Sequence, residues 1–481
     1  VIQQVFPIHE QRILSRLMRS WVQAICEKQP LDEICDYFGV KVAMYFSWMG
    51  FYTSSLVYPA VFGMMLWMIT ESDQTSRDIC CVVFALFNVV WATLFLEGWK
   101  RRGAELAYKW GTLDTPAEFI EEPRPQFRGV KRISPVTNCE EFYYPPWKRL
   151  LFQSFVSLPV CVSCLCFVFV VMLACFELQS TVYFGNCLYI TLDKEFSSMF
   201  LILYSSLCYK SFVENYRLQS AYEKHLIIKI VLFQFVNSYL SLFYIGFYLK
   251  DMERLKEMLA TLLVIRQFLQ NVKEVSQPHL YQKLQRGELT PRSVWLFVRY
   301  ALKRLFQKYS LPQHPLRTPG NPMETGAGNY DTFNDYQEMF VQFGYVVLFS
   351  SAFPLAAVCA LINNIIEIRS DAFKLCTGLQ RPFGRRVDGI GQWQNVMEAM
   401  GVIAIIVNCY LMGQCGQLQR LLPWLGPETT IIFIVVLEHF ALLLKYIIHV
   451  VIPDIPGWVA EEMAKLEYQR REAFKLSCRS K

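Results

Sequence analysis

Long apolar stretches recur along this chain and constrain its fold more than any other feature. A helix needs about 20 predominantly apolar residues to cross the hydrocarbon core of a membrane. The stretches of this kind are residues 43–70, 79–99, 150–178, 226–249, 258–275, 336–351, 355–376, 396–414 and 430–452. Their lengths and spacing predict an all-α polytopic membrane protein.

The composition supports a membrane protein. Apolar residues make up 53% of the chain and charged residues 18%, whereas soluble domains have about 45–50% and about 25%. This balance disfavours a soluble enzyme, a disordered chain and a nucleic-acid-binding protein. The sequence also has no P-loop, no G-x-S-x-G motif and no H-E-x-x-H motif. We therefore predict that the chain is not an enzyme, and that it contacts membrane lipids rather than nucleic acid.

Lysine and arginine residues orient the stretches, because they favour the cytosolic side of short membrane loops. Basic runs follow the second stretch at 100–102 and precede the third at 148–149, and residues 276–334 hold eight Lys/Arg against three Asp/Glu. With these segments in the cytosol, one more crossing is required between the third stretch and residue 226. Residues 196–212, which are short and Ser-rich, are the candidate. The chain is then predicted to have ten transmembrane helices with both termini cytosolic.

The predicted segments follow from these spans. They are a cytosolic N-terminal remnant (1–42), spans one to six (43–275), a basic cytosolic loop (276–334), spans seven to ten (335–452) and a cytosolic C-terminal tail (453–481). Within the loop, residues 294–308 mix apolar and basic side chains, as in an amphipathic helix that lies on an anionic membrane surface. Packing on other cytosolic parts is the alternative. Because the first residue is valine, we expect a longer protein around this chain.

Acidic residues at the cytosolic ends of three predicted spans are the main functional signal, because ionisable groups within a membrane are costly. Five carboxylates fall at similar depth: Glu274 in span six, Asp335 and Glu338 in span seven, and Glu367 and Asp371 in span eight. The last two pairs are three and four residues apart, so each pair shares one helix face. Asn363 continues the face of Glu367, one turn earlier.

Three interpretations of this cluster stay open on spacing alone. Hard oxygen ligands from several helices suit Ca²⁺, which accepts about six to eight oxygens in a flexible geometry. Lys273, Arg369 and Lys374 offer interfacial ion pairs instead, although Arg369 should point away from the carboxylate face of its helix. A proton-coupled site is the third interpretation.

The fifth predicted span also carries adjacent polar residues, among them Asn237, Ser238 and Tyr239. Two interpretations apply to them. They line a path for ions or lipid headgroups, or they make hydrogen bonds between packed helices, which is the commoner use of such residues in membranes.

Several long motifs resemble one protein family. They are YFSWMGFYT (45–53), QFGYVVLFSSAFPL (342–355), LINNIIEIRSD (361–371) and VIPDIPGWV (451–459). Together they resemble the anoctamins. The resemblance implies homodimers of ten-span subunits that act as Ca²⁺-activated chloride channels or phospholipid scramblases, in the plasma membrane or the endoplasmic reticulum.

The resemblance also implies a set of ligands. Anoctamins bind Ca²⁺ between spans six, seven and eight, and the family's ligand positions fall on Glu274, Asp335, Glu338, Asn363, Glu367 and Asp371. A second, distal Ca²⁺ site would fall on Glu97 and Asp454. The family pattern is lost over residues 180–213, where span four is expected, and a mispredicted exon or a retained intron would explain so abrupt a break.

The expected function is therefore Ca²⁺-regulated passive transport of anions such as chloride, of phospholipids, or of both. Two other function classes stay open. One is an intracellular tether at membrane contacts with little transport, which would act through residues 276–334. The other is an ion-coupled secondary transporter that uses the same carboxylates. Such a transporter would often show inverted repeats, and no repeat is visible in the sequence.

Overall fold

Helices dominate the computed structural model of this protein. The structure describes residues 7–24, 27–69, 74–113, 124, 127–133, 138–181, 215–272, 332–377, 379, 381–414, 420, 424 and 426–479. Three sequence predictions lie outside these residues: the fourth span at 196–212, the amphipathic segment 294–308 and the proposed ligand Glu274.

The described residues form the following elements, given in chain order. The helices are α1 (Gln11–Leu17), α2 (Leu31–Phe38), α3 (Val40–Ile69), α4 (Gln74–Lys109), α5 (Pro146–Phe152), α6 (Leu158–Thr181), α7 (Gln219–Phe243), α8 (Met252–Thr261), α9 (Phe333–Leu348), α10 (Ala356–Thr377), α11 (Gln392–Gln414), α12 (Pro427–Val451) and α13 (Gly457–Arg479). Strands β1 (Val130–Ile133) and β2 (Glu140–Tyr143) pair antiparallel between α4 and α5. The π-helical turns are Met18–Val22, Gln153–Ser157, Tyr244–Leu249 and Leu262–Arg266.

Six helices among the described residues are long and apolar enough to cross a membrane. They are Val40–Ile69, Thr75–Lys109, Pro146–Ala174, Gln219–Leu249, Gln392–Gly413 and Glu428–Val451. These match predicted spans one, two, three, five, nine and ten. The helices at spans seven and eight are α9, which has only 16 residues, and α10, which carries buried charges. The ten-span count and the side of each terminus stay predictions.

The helix of predicted span six begins earlier than hydropathy indicated. The sequence placed this span at 258–275, whereas α8 begins at Met252. Lys250 adopts a left-handed conformation, and the carboxylate of Asp251 accepts a hydrogen bond from the backbone N–H of Arg254 at 3.1 Å. Asp251 therefore caps the helix N-terminus. Hydropathy missed this start because the capping turn is polar.

Helix α9 is buried along nearly its whole length, and α7 is joined to it by reciprocal hydrogen bonds. The hydroxyl of Tyr239 on α7 donates to the carbonyl of Val341 at 2.9 Å. The hydroxyl of Tyr345 on α9 donates in turn to the carbonyl of Ser238 at 3.5 Å. For Tyr239, the structure thus confirms that a polar side chain of span five serves helix packing, whereas the hydroxyl of Ser238 accepts a hydrogen bond from Gln234 within α7.

A tight turn joins α9 to α10, and Asn408 of α11 closes it. The side-chain oxygen of Asn408 accepts hydrogen bonds from the Ser350 hydroxyl at 3.0 Å and the Ser351 backbone N–H at 3.1 Å. Its amide nitrogen donates to the carbonyls of Val347 and Ala404, at 2.8 Å each. Asn408 is 1% exposed, so it satisfies backbone groups that would otherwise be costly within a membrane.

The N-terminal segment packs against the connector that follows α10. The ring nitrogens of His9 contact the Tyr37 hydroxyl and the Leu379 carbonyl, each at 3.0 Å. The guanidinium of Arg381 donates to the carbonyl of Tyr37 at 2.9 Å and lies 4.2 Å from the centroid of its ring. The segment before α3 is thereby fixed beside the end of α10.

Candidate cation site

Helix α10 presents three predicted ligands on one face. Asn363, Glu367 and Asp371 recur every four residues, so they lie one above another along the helix. All three are buried, with exposed fractions of 6%, 2% and 1%. Carboxylates buried to this extent require a positive charge or hydrogen-bond donors nearby.

The ammonium of Lys374 joins α10 to α9. Its Nζ lies 3.0 Å from Oδ1 of Asp371 and 3.4 Å from Oδ1 of Asp335. Asp335 is itself buried. The interfacial ion pairs considered from the sequence are thus present for these two carboxylates. Arg369 points away from them, as its position predicted, and donates to the backbone carbonyl of Trp21.

Two amide side chains bring span six to the same place. Gln270 donates a hydrogen bond to Oε2 of Glu338 on α9, and Asn271 donates to Oδ1 of Asn363 on α10 at 2.9 Å. Both amides follow the π-helical turn Leu262–Arg266. The described parts of spans six, seven and eight are therefore joined by hydrogen bonds at these residues.

The donor set fits a hard divalent cation. Asp335, Glu338, Glu367 and Asp371 offer carboxylate oxygens and Asn363 an amide oxygen, which are the ligands that Ca²⁺ prefers. A positive charge is already accommodated here, on Lys374. Within the described residues, no group of three or more His, Cys, Asp or Glu side chains is arranged to hold a metal ion. The ammonium of Lys374 lies within 3.4 Å of both Asp335 and Asp371.

Sequence reasoning missed three polar residues beside these carboxylates. The hydroxyl of Tyr45 on α3 donates to Oδ2 of Asp371 at 2.8 Å. Gln342 and Asn364 are 0% exposed, and among the described residues their side-chain amides have no hydrogen-bond partner. Helical spacing would have found these two amides, since Gln342 lies one turn inward of Glu338 and Asn364 two turns from Asp371. No local pattern indicates Tyr45, which is 326 positions away from its partner.

The two acids of the predicted distal site lie around one lysine. Nζ of Lys100 is 3.2 Å from Oε2 of Glu97 and 3.9 Å from Oδ1 of Asp454. It also lies 2.9 Å from Oε1 of Glu398, and Nδ1 of His449 is 3.0 Å from the other oxygen of Glu97. The structure thus brings Glu97 and Asp454 together, and adds Glu398 and His449, which the sequence did not suggest.

Comparison with known proteins decides the family. Residues 34–466 match the family model described as "Anoctamin: Calcium-activated chloride channel". The chain belongs to the anoctamin family. It is an integral membrane protein, and the resemblance to the anoctamins that its motifs indicated is confirmed.

This anoctamin is similar to curated relatives over nearly its whole length. It is 51% identical to human Anoctamin-8, in a match that covers 99% of this chain and 56% of the relative. With mouse Anoctamin-8 the identity is 50%, over 99% of this chain and 64% of the relative. With mouse Anoctamin-10 it is 37%, over 99% and 72%. The chain therefore spans less than two thirds of the length of the Anoctamin-8 relatives.

Proposed function

We propose that this anoctamin is a Ca²⁺-regulated passive transporter of anions such as chloride, of phospholipids, or of both. One observation carries the proposal: α9, α10 and the end of span six converge on a buried, acidic position that accommodates the positive charge of Lys374. The family description supports Ca²⁺ as the regulator. An acidic site of this kind, near the end of three membrane helices, suits regulation by a cation rather than catalysis.

The residues proposed to hold Ca²⁺ share hard oxygen donors and a common depth. They are Glu274, Asp335, Glu338, Asn363, Glu367 and Asp371. When bound, Ca²⁺ would supply the two positive charges that offset the repulsion of the clustered carboxylates. Lys374 has a long flexible stem, which lets its ammonium withdraw from between Asp335 and Asp371. In this proposal the single positive charge of the Lys374 ammonium is replaced by the two positive charges of Ca²⁺.

Span six is the element that this exchange would move. Its polar contacts with α9 and α10 include two amide hydrogen bonds, from Gln270 to the Glu338 carboxylate and from Asn271 to Asn363. Bonds of these two kinds contribute about 1.5–3 and about 0.5–1.5 kcal/mol. The π-helical turn Leu262–Arg266 interrupts the regular helix just before them. Neutralising the site would draw Glu274 toward α9 and α10. A ligand that binds one arrangement of this helix more tightly than another shifts the population between them.

The proposed assembly is a homodimer, and α12 offers the surface that best suits one. Only 6% of the most apolar part of this helix is buried, against 17–56% for the other five candidate spans. Lipid or a second copy of the chain would cover such a face. A distal Ca²⁺ site is also part of the proposal, and Glu97 and Asp454, which both lie near Lys100, would hold the ion.

Reconstitution in liposomes tests the proposed function. Chloride flux and lipid scrambling by the purified protein are measured over a range of Ca²⁺ concentrations, for the natural sequence and for Glu367→Gln. We expect the variant to lose most of its Ca²⁺ response, because a buried ligand carboxylate is removed. Glu141→Gln is the control, since this carboxylate lies on the β-hairpin, which contributes none of the proposed ligands, and pairs with Arg132 and Arg217.

The same liposomes separate the alternatives. An unaltered Ca²⁺ response in Glu367→Gln would refute the assigned site. Uphill substrate movement driven by an imposed ion gradient would assign an ion-coupled transporter, because a channel or scramblase only dissipates gradients. Absence of both fluxes in the natural sequence, at any Ca²⁺ concentration, would reject passive transport and favour a tether.

A further inference from the structure

We propose that Tyr45 is a positioning residue of the cation site, which fixes the carboxylate of Asp371 in the orientation that faces the cation. This inference rests on the proposed function. Tyr45 lies on α3, a helix that contributes none of the predicted ligands. Its hydroxyl donates to Oδ2 of Asp371 at 2.8 Å, and both residues are buried, at 0% and 1% exposed.

The ring of Tyr45 is fixed between two other rings. Tyr336 lies edge-on to it with 5.0 Å between the ring centroids, and Phe46 does the same at 5.0 Å. Tyr336 directly follows Asp335 on α9. Tyr45 therefore contacts both helices whose carboxylates pair with Lys374, and its hydroxyl has little freedom to turn away from Asp371.

The two oxygens of Asp371 have different partners. Oδ2 accepts the hydrogen bond from Tyr45, whereas Oδ1 faces the ammonium of Lys374 at 3.0 Å. With Oδ2 held from the α3 side, Oδ1 is the oxygen presented to a cation. Without that bond the carboxylate loses one of the contacts that orient it, and ordering it again would reduce the gain from cation binding. Partners that orient metal ligands in this way are typically worth about 10- to 100-fold in metal affinity.

Tyr45→Phe tests the inference, because phenylalanine keeps the ring and removes only the hydroxyl. Tyr52→Phe is the matched control. Tyr52 lies two turns further along α3 and is also 0% exposed, but its hydroxyl has no hydrogen-bond partner in the part of the chain that the structure describes. The two variants therefore remove the same atom from the same helix, and only one of them releases Asp371.

Two readouts are taken on each purified protein: the Ca²⁺ concentration for half-maximal flux in liposomes, and the Ca²⁺ concentration that half-maximally raises the thermal unfolding temperature. We expect Tyr45→Phe to raise both concentrations by about 10-fold, with maximal flux unchanged. Tyr52→Phe should shift neither. The Ca²⁺-free unfolding temperature reports any purely structural effect of the lost hydroxyl.

Three outcomes would overturn the inference. In the first, Tyr45→Phe matches the natural sequence in both Ca²⁺ concentrations. In the second, Tyr52→Phe shifts them equally. In the third, Tyr45→Phe lowers only maximal flux and Ca²⁺-free stability, which is the signature of a structural role. If the natural sequence shows no Ca²⁺ effect in either readout, the proposed function itself fails. The three outcomes above refute only the role of Tyr45, because in each of them the natural sequence still responds to Ca²⁺.

Discussion

Gly344 on α9 has no room for a side chain, and alanine at this position should loosen the contact between α7 and α9. A Cβ atom there would lie closer than 3.0 Å to the hydroxyl and Cζ of Tyr239. The ring cannot yield easily, because Tyr239 is 0% exposed and packs edge-on against Tyr345 with 5.3 Å between the centroids. Its hydroxyl is also bonded to the carbonyl of Val341 at 2.9 Å.

The expected loss in the free energy of unfolding is about 3 kcal/mol, from three contributions. Forcing an extra methyl group into a closed core costs about 1–3 kcal/mol. Moving the Tyr239 hydroxyl away from Val341 leaves buried polar groups unpaired, which costs a further ~1–3 kcal/mol. Alanine returns about 1 kcal/mol, because its helix propensity exceeds that of glycine. The steric clash and the lost hydrogen bond therefore outweigh the gain in helix propensity.

Thermal unfolding of the detergent-solubilised protein measures this loss. Gly103→Ala is the matched control, because Gly103 is also inside a helix and a Cβ there would meet Trp99 at an ordinary distance of 3.7 Å. We expect Gly344→Ala to lower the unfolding temperature by several degrees, and Gly103→Ala to leave it unchanged or raise it. Equal unfolding temperatures for the two variants would refute the steric reasoning.

Two further predictions concern other parts of the fold. Burial lowers the pKa of His9, and the charge of Arg381 lowers it further, while the bond to the Leu379 carbonyl acts in the opposite direction. Neutral His9 therefore stabilises docking of the N-terminal segment at pH values above its unfolded pKa of about 6.5. This stability should be lost as the pH falls through the lowered pKa. On acidification, the unfolding temperature of the natural sequence should therefore fall more steeply than that of His9→Gln. Equal slopes of unfolding temperature against pH for the two proteins would contradict this. Asn408→Leu should lower the free energy of unfolding by roughly 3–5 kcal/mol, because it removes four buried hydrogen bonds at once. An unfolding temperature close to that of the natural sequence would show that other contacts hold the turn.

The sequence predicted the parts of this molecule that depend on local periodicity. Apolar stretches located the helices at spans one, two, three, five, nine and ten. Helical spacing placed Glu367 and Asp371 on one face, and the family resemblance implied that α9, α10 and span six meet. The first argument uses only distances along the chain, which a helix converts directly into distances in space.

Contacts between distant helices could not be predicted in this way. Nothing in the residues around Tyr45 indicates that its hydroxyl reaches Asp371, because the partner is set by how α3 packs on α10. From the sequence, Lys374 was one of several cations that could pair with the clustered carboxylates. Only the packing of α9 on α10 selects Asp335 as its second partner. The early start of α8 was missed because a capping aspartate is polar, and hydropathy assigns polar residues to loops.

The bond from Arg369 to the carbonyl of Trp21 has a consequence for how this family should be compared across sequences. Arg369 stands between Glu367 and Asp371 along α10 but contacts the N-terminal segment. Any residue at position 21 supplies a carbonyl, so the partner can change identity without breaking the bond. Covariation between two positions reveals side chains that depend on each other. The bond from Arg369 to a backbone carbonyl would therefore join the N-terminal segment to α10 without producing covariation between positions 21 and 369.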